Sequence, residues 1–301
     1  MQIKRNSIAA YVVGARPKTL LVAVAPVLVG LGASVRAVGP DHVRWPSALA
    51  ALVGAIFITI GTNFANDVFD YEKGADTEDR LGPLRVTQAG LLSPRAVKGA
   101  MAASFAIAFC AGIFLFIATG WPVIAIGLAS IVSGMAYTGG PFPLGYNGLG
   151  EVFVFVFFGL VAVCGTNYVS TGSLHRLAWF AAIAPGALAM CVLLVNNVRD
   201  IETDRRAHKR TVAVRFGRSF GVMFYGISVA LMVLGPVLTV QSASLPWSCA
   251  WAPALVTPIG IALTLKLHRE RGAILNKRLG QTAALLLLHS LIFSVALAAG
   301  R

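Results

Sequence analysis

Residues 46–76 read PSALAALVGAIFITIGTNFANDVFDYEKGAD, an apolar run that passes directly into Asn66, Asp67, Asp70 and Asp76. The part from 47 to 68 is long enough to cross a bilayer, because a spanning helix needs about 20 mostly apolar residues that satisfy their own backbone hydrogen bonds in hydrocarbon. The remainder puts acids where that helix leaves the hydrocarbon. A membrane helix ending in oxygen ligands is therefore the unit to look for in the rest of the chain.

Eight further apolar segments fall at 18–37, 97–119, 121–137, 149–171, 175–198, 219–240, 247–266 and 280–300, making nine. Of the 301 residues, 57% are hydrophobic and only 12% charged, against roughly 25% charged in an ordinary soluble domain. The expected fold is all-α, a polytopic membrane helical bundle forming one domain over 1–301. The short Thr119-Gly120-Trp121-Pro122 connection makes the third and fourth helices a hairpin. Residues 1–17 carry Lys4, Arg5 and Arg16 but no separate apolar stretch with a cleavage site, so no removable signal peptide is expected.

A net charge of +13 would point to nucleic acid in a soluble protein. Here its distribution argues otherwise. With the N-terminus inside and nine crossings, all of the 25 Lys and Arg fall inside except Arg36, Arg44, Arg176 and Arg301. That asymmetry predicts a multi-pass protein of a cytoplasmic membrane, N-terminus in and C-terminus out, among lipids and without nucleic acid. Cys110, Cys164, Cys191 and Cys249 lie in or beside separate apolar segments without CxxC spacing, which speaks for packing rather than a disulfide or zinc. Nothing in the pattern assigns an oligomeric state.

Nine of the twelve acids sit in two stretches, Asn63 to Asp79 and Asn196 to Asp204, each at the cytoplasmic end of a predicted span. Continued helical geometry stacks Asn66 with Asp70, and Asn196 with Asp200 and Asp204, at i,i+4. Like charges at that spacing repel, so a cation is expected between them, and Asp and Asn without His or Cys suit magnesium. Gly74 predicts that the first helix breaks into a loop before Asp76. The patterns Asn66-x3-Asp70-x5-Asp76 and Asn196-x3-Asp200-x3-Asp204 start 130 residues apart. Each follows a pair of spans in its own block of four, as an internal four-helix repeat with a ninth helix added would produce. Facing each other, two such ends can clamp a diphosphate through two metal ions.

Basic residues follow both stretches: Lys73, Arg80 and Arg85, then Arg199, Arg205, Arg206, Lys209 and Arg210. Cations around metal ligands suit a metal-diphosphate, whose free oxygens they neutralise; retention of positive charge in cytoplasmic loops accounts for any one of them equally. The connection from Tyr137 to Glu151 has no Lys or Arg but is rich in Gly and Pro, a loop suited either to covering a site or to plain connection, with Tyr137 and Tyr146 its notable members.

These residues resemble the UbiA superfamily of membrane prenyltransferases: Asn66-Asp67-x2-Asp70, Lys73-Gly74-x-Asp76, then Asn196-Asn197-x-Arg199-Asp200-x3-Asp204. The stretch from Gly61 to Asp67, the run Arg80 to Gly90 and the loop from Tyr137 to Glu151 look like its 1,4-dihydroxy-2-naphthoate polyprenyltransferase branch. The resemblance spans essentially the whole chain. It implies nine helices around a lipid-open cavity, Mg2+ as cofactor, polyprenyl diphosphate and an aromatic acid as substrates, and a place in menaquinone biosynthesis in a bacterial inner membrane.

The expected metal set is Asn66, Asp67, Asp70, Asp76, Asn196, Asp200 and Asp204, with Asp70, Asp200 and Asp204 carrying catalysis. The expected substrate contacts are Asn63, Lys73, Arg80, Arg85, Tyr137, Tyr146, Asn197, Arg199, Lys209 and Arg210. Many relatives space two aspartates four apart where Asp76 here stands six beyond Asp70, and some carry a lysine after Tyr137 that this chain lacks. In the expected reaction the metal makes diphosphate a better leaving group, an electron-rich ring attacks the allylic carbon, and carbon dioxide is released. One rival is a sister enzyme prenylating 4-hydroxybenzoate or another phenolic acid. The other is a cation-coupled transporter, against which stands the scarcity of charge within the central segments.

Overall fold

A computed structural model describes residues 3–75 and 81–300, and those residues contain helices and no strand. After a short α1 (Ile8–Ala15) come α2 (Leu21–Val38), α3 (Trp45–Glu72), α4 (Pro94–Thr119), α5 (Pro122–Ala136), α6 (Gly150–Thr171) and α7 (Arg176–Arg199). Two small helices, α8 (Ile201–Arg206) and α9 (Val212–Phe216), precede α10 (Arg218–Ala243), α11 (Ser248–Arg269) and α12 (Gly272–Ala299).

Eight of these helices are long and apolar enough to cross a membrane. The ninth expected span, 121–137, forms α5, which has only 15 residues. At 1.5 Å per residue it reaches about 22 Å, short of a hydrocarbon core of about 30 Å. It still carries the chain from one end of the bundle to the other. Its start adjoins Thr119, whose carbonyl accepts from Tyr168 Oη near the end of α6, while Thr138 just beyond its end donates to Asn66. Helix α1, absent from the expected spans, starts where Ser7 Oγ accepts from Ala10 N and leaves Ile8 and Val12 exposed. The cap explains its start, and its eight residues are too few to cross.

The described acidic residues of both stretches, Asp67 to Glu72 and Asp200 to Asp204, lie at one end of the bundle. At the other, Arg44 donates its backbone N–H to Ser170 O and its guanidinium to Ala118 O. The halves repeat their packing: α3 packs on α4 and α4 on α5, as α7 packs on α10 and α10 on α11. Helix α12 is added against α2 and α7. This packing is what a four-helix repeat with an added helix would give.

Helix α7 is the axis of the fold, and Leu188, Leu194 and Val195 on it meet Tyr225 and Met232 of α10 and Leu286 of α12 in the largest core. It approaches α6 closely: a Cβ added to Gly159 would stand 2.8 Å from Gly186 Cα. Small residues at such crossings replace a hydrophobic driving force that hydrocarbon does not provide. Helix α4 faces outward with Phe109, Phe114 and Ile117 exposed, as a lipid-facing surface requires.

Candidate active site

A cleft of about 170 Å³ opens at the end of the bundle where α3 and α7 finish. Its wall includes Asn66, Asp70, Arg85, Tyr137, Tyr146, Asn196, Asn197, Arg199, Asp200, Asp204 and Lys209. The two acidic motifs therefore face one space, with the loop between α5 and α6 folded over it.

Helix α3 delivers the first motif. Asp70 is buried and ringed by donors: Arg85 Nη2 at 2.7 Å from Oδ2, and Tyr146 Oη at 2.7 Å and Lys209 Nζ at 3.1 Å from Oδ1. These donors come from three separate connections, so one carboxylate gathers them. Lys209 reaches it through a turn in which His208 has φ +56° and Lys209 N donates to Asp204 O. Arg210 N donates to Tyr146 O and ties the same turn to the covering loop. Lys73 Nζ donates to Thr138 O at 2.6 Å and lies 5.0 Å above the Tyr146 ring. Burial holds its pKa below the ordinary lysine value, against the pull of Asp70 and with a further push from Lys209.

The second motif spans a break in the helix. Helix α7 ends at Arg199, yet Asp200 N donates to Asn196 O and Asp204 N to Asp200 O. The i→i−4 pattern survives the corner, which keeps Asn196, Asp200 and Asp204 on the cleft. Arg199 grips Asp200 through two bonds, Nε to Oδ1 at 2.8 Å and Nη2 to Oδ2 at 2.6 Å. Its third nitrogen donates to Asn276 Oδ1 of α12. Tyr137 stands between the motifs; burial, then the carboxylates of Glu151, Asp204 and Asp70, push its pKa above the ordinary phenol value. Its hydroxyl thus stays a neutral donor.

Several expected members lie elsewhere. Asp67 is fully buried and turned from the cleft, its oxygens accepting from Val86 N at 3.0 Å and Thr87 N at 2.9 Å. A carboxylate so engaged anchors the turn after the first motif, a structural task in place of the ligand role expected of it. Asn63 donates to Ala15 O and Thr19 Oγ1, fastening α1 to α3. Lys73 and Arg210 do not line the cleft; the first holds the covering loop, and the second is exposed beside it. Asp76 and Arg80 lie outside the described residues. Conversely, Arg16, Thr19, Thr138 and Thr211 line the cleft without having been singled out. Arg16 adopts φ +53° at the end of α1, a left-handed conformation uncommon outside glycine. Only its charge ahead of the first span marked it in the sequence.

All the acidic and amide donors at the cleft offer oxygen, and no three Asp, Glu, His or Cys groups among the described residues converge on a point. That fits magnesium, which takes one or two carboxylates and completes its shell with water and phosphate.

Comparison with known proteins follows the same lines. The UbiA prenyltransferase family profile matches residues 23–298. A 1,4-dihydroxy-2-naphthoate octaprenyltransferase of Mycobacterium tuberculosis is 43% identical over 80% of this chain and 80% of its own. One from Haemophilus influenzae is 33% identical over 95% and 94%. Among solved structures, a UbiA homolog from Aeropyrum pernix K1 superposes with a TM-score of 0.68 at 15% identity, covering 95% of this chain and 97% of that one. A homolog from Archaeoglobus fulgidus bound to GPP and Mg2+ does so with 0.64 at 16%, covering 96% and 99%.

Proposed function

The chain belongs to the UbiA prenyltransferase family, and from that premise we propose that it transfers a polyprenyl chain from its diphosphate to 1,4-dihydroxy-2-naphthoate in menaquinone synthesis, with loss of carbon dioxide. The relatives named for that acceptor support the choice of ring. The observation that carries the reading is the single cleft in which Asp70 faces Asp200 and Asp204 while Arg16, Arg85, Arg199 and Lys209 stand around them.

Asn66, Asp70, Asn196, Asp200 and Asp204 are the residues that would hold magnesium with the diphosphate. The metal supplies charge neutralisation to the leaving group. Arg85 and Lys209, both on Asp70, bring positive charge to where the phosphate oxygens would lie, and Tyr146 Oη holds Asp70 in position. These fixed charges act where negative charge develops on diphosphate. As the allylic C–O bond breaks, its electron pair leaves with diphosphate. The ring carbon that bears the carboxylate forms the new C–C bond, and the electron pair of the C–COO⁻ bond restores the aromatic ring as carbon dioxide departs. The covering loop keeps water from the allylic cation. The chain acts as one integral-membrane domain in a bacterial cytoplasmic membrane, cleft and N-terminus on the cytoplasmic side and C-terminus outside.

The test is purified protein with Mg2+, a prenyl diphosphate and either 1,4-dihydroxy-2-naphthoate or 4-hydroxybenzoate. A prenylated naphthalenediol lacking the carboxylate supports the reading. Equal turnover of 4-hydroxybenzoate, or a product that keeps the carboxylate, refutes the acceptor assignment.

A further inference from the structure

Behind the cleft lies an acid that the scheme above leaves unused. Glu151, in the first turn of α6, is only 2% exposed. Its Oε1 accepts from Asn197 Nδ2 at 2.7 Å, while Oε2 has no hydrogen-bond partner among the described residues. That bond holds the Asn197 carboxamide with its nitrogen toward Glu151. Asn197 lines the cleft, and the group it then offers there is its amide oxygen.

Tyr137 stands on the same wall. A Cβ built on Gly150 would lie 2.9 Å from Tyr137 Oη and 3.2 Å from Leu193 Cδ2. The start of α6, the phenol and Leu193 therefore meet, and only glycine permits the approach. The wall thus presents one donor, one acceptor and an apolar side chain. An ionised diphosphate has no donor and gains nothing from an amide oxygen. A hydroxylated aromatic acid matches all three features, with a hydroxyl to donate, a carboxylate to accept and a flat ring to cover Leu193.

We propose that Tyr137, Asn197 and Leu193 form the subsite for the aromatic acceptor and that Glu151 is its positioning residue, fixing the Asn197 carboxamide so that its oxygen receives the acceptor's hydroxyl. This rests on the aromatic acceptor proposed above. Without a carboxylate at 151 the amide is free to turn, and its fixed acceptor is lost.

The experiment measures initial rates of full-length protein in detergent, varying naphthoate, prenyl diphosphate and Mg2+ separately. In Glu151→Leu the KM for naphthoate rises about tenfold, the effect of one lost hydrogen bond, while prenyl diphosphate KM and half-activating Mg2+ stay within about twofold. Glu151→Gln, which can turn its own oxygen to Asn197, stays within about threefold of wild type in all three. Asn197→Ala repeats the leucine pattern and replaces that variant if it fails to fold. An unchanged naphthoate KM, a shift instead in Mg2+ requirement or prenyl diphosphate KM, or equal damage from glutamine and leucine overturns the proposal. If wild-type protein prenylates no aromatic acid, the functional reading itself fails; normal wild-type transfer with an unmoved naphthoate KM in the variants defeats this inference alone.

Discussion

Two aspartates three positions apart do opposite work. Asp70 collects Arg85, Tyr146 and Lys209 at the cleft, whereas Asp67 spends both oxygens on backbone N–H groups. Asp70→Asn keeps the shape and removes the charge, so turnover is expected to fall by about 100-fold or more, on the scale of deleting one transition-state electrostatic contact. Asp200→Asn is expected to do the same, with both variants inserted and eluting as wild type; rates near normal in both would defeat the metal assignment. Asp67→Ala leaves two buried N–H donors unsatisfied, a cost of about 2–4 kcal/mol. Its signature is a lowered thermal midpoint, which Asp70→Asn does not share. The tyrosine at 137 supplies a pH prediction. Because its pKa is raised by burial and neighbouring carboxylates, the phenol remains protonated throughout the working range, and the alkaline limb of the pH-rate profile is expected to be the same in wild type and Tyr137→Phe.

Among the elements, the close crossing of α6 and α7 and the link from α11 to α12 can each be tested by a single change. Gly159→Val drives a side chain against the Gly186 backbone, where neither partner can turn aside, and overpacking of this kind costs about 1–3 kcal/mol; thermal unfolding of the solubilised protein measures it. At the second place Glu270 accepts from Arg278 Nε and Nη2, both at 2.6 Å. Those hydrogen bonds hold its pKa below the ordinary carboxylate range. A depressed carboxylate contributes stability that is fully present above its unfolded pKa and lost as pH falls through the folded value. Glu270→Gln is therefore expected to lower the thermal midpoint at neutral pH and to match wild type once the medium is acidic enough to protonate Glu270. A gap between the two that persists unchanged in acid would contradict this origin.

For the whole molecule, the bundle has one polar end with both motifs and a far end with Arg44 against Ser170. Single cysteines introduced at positions 73 and 205 are expected to react with a membrane-impermeant reagent from one face, and at positions 44 and 176 from the other. Labelling of 73 and 205 from opposite faces would make a shared cleft impossible. Chelation of divalent cations is expected to abolish transfer, and added Mg2+ to restore it, without change in the thermal midpoint beyond what ligand binding itself contributes. The outward faces of α4 and α10, with Phe114, Ile117, Met223 and Ile227 exposed, suit a bilayer from which a long chain enters sideways.

The membrane class, the long apolar spans and the two acidic helix ends follow from the sequence alone, whereas the short helices α1, α8 and α9 and the shortness of α5 do not. Hydrocarbon length, the scarcity of charge and i,i+4 spacing are local properties, readable without knowing which helix touches which. The motif spacing also placed Asn196, Asp200 and Asp204 on one face, because the backbone hydrogen bonds carry helical geometry across the corner at Asp200. Only tertiary structure decided which charges share the cleft. Arg16 enters it through a left-handed turn, and Thr138 and Thr211 through loops, with no periodicity to mark them. Asp67 leaves it although it has the same residue type and neighbourhood as Asp70. The difference lies in a turn nineteen residues later, where Val86 N–H meets Asp67 and not Asp70. Pairing a buried carboxylate with distant backbone donors depends on how the chain returns, and that return is a property of the packed bundle.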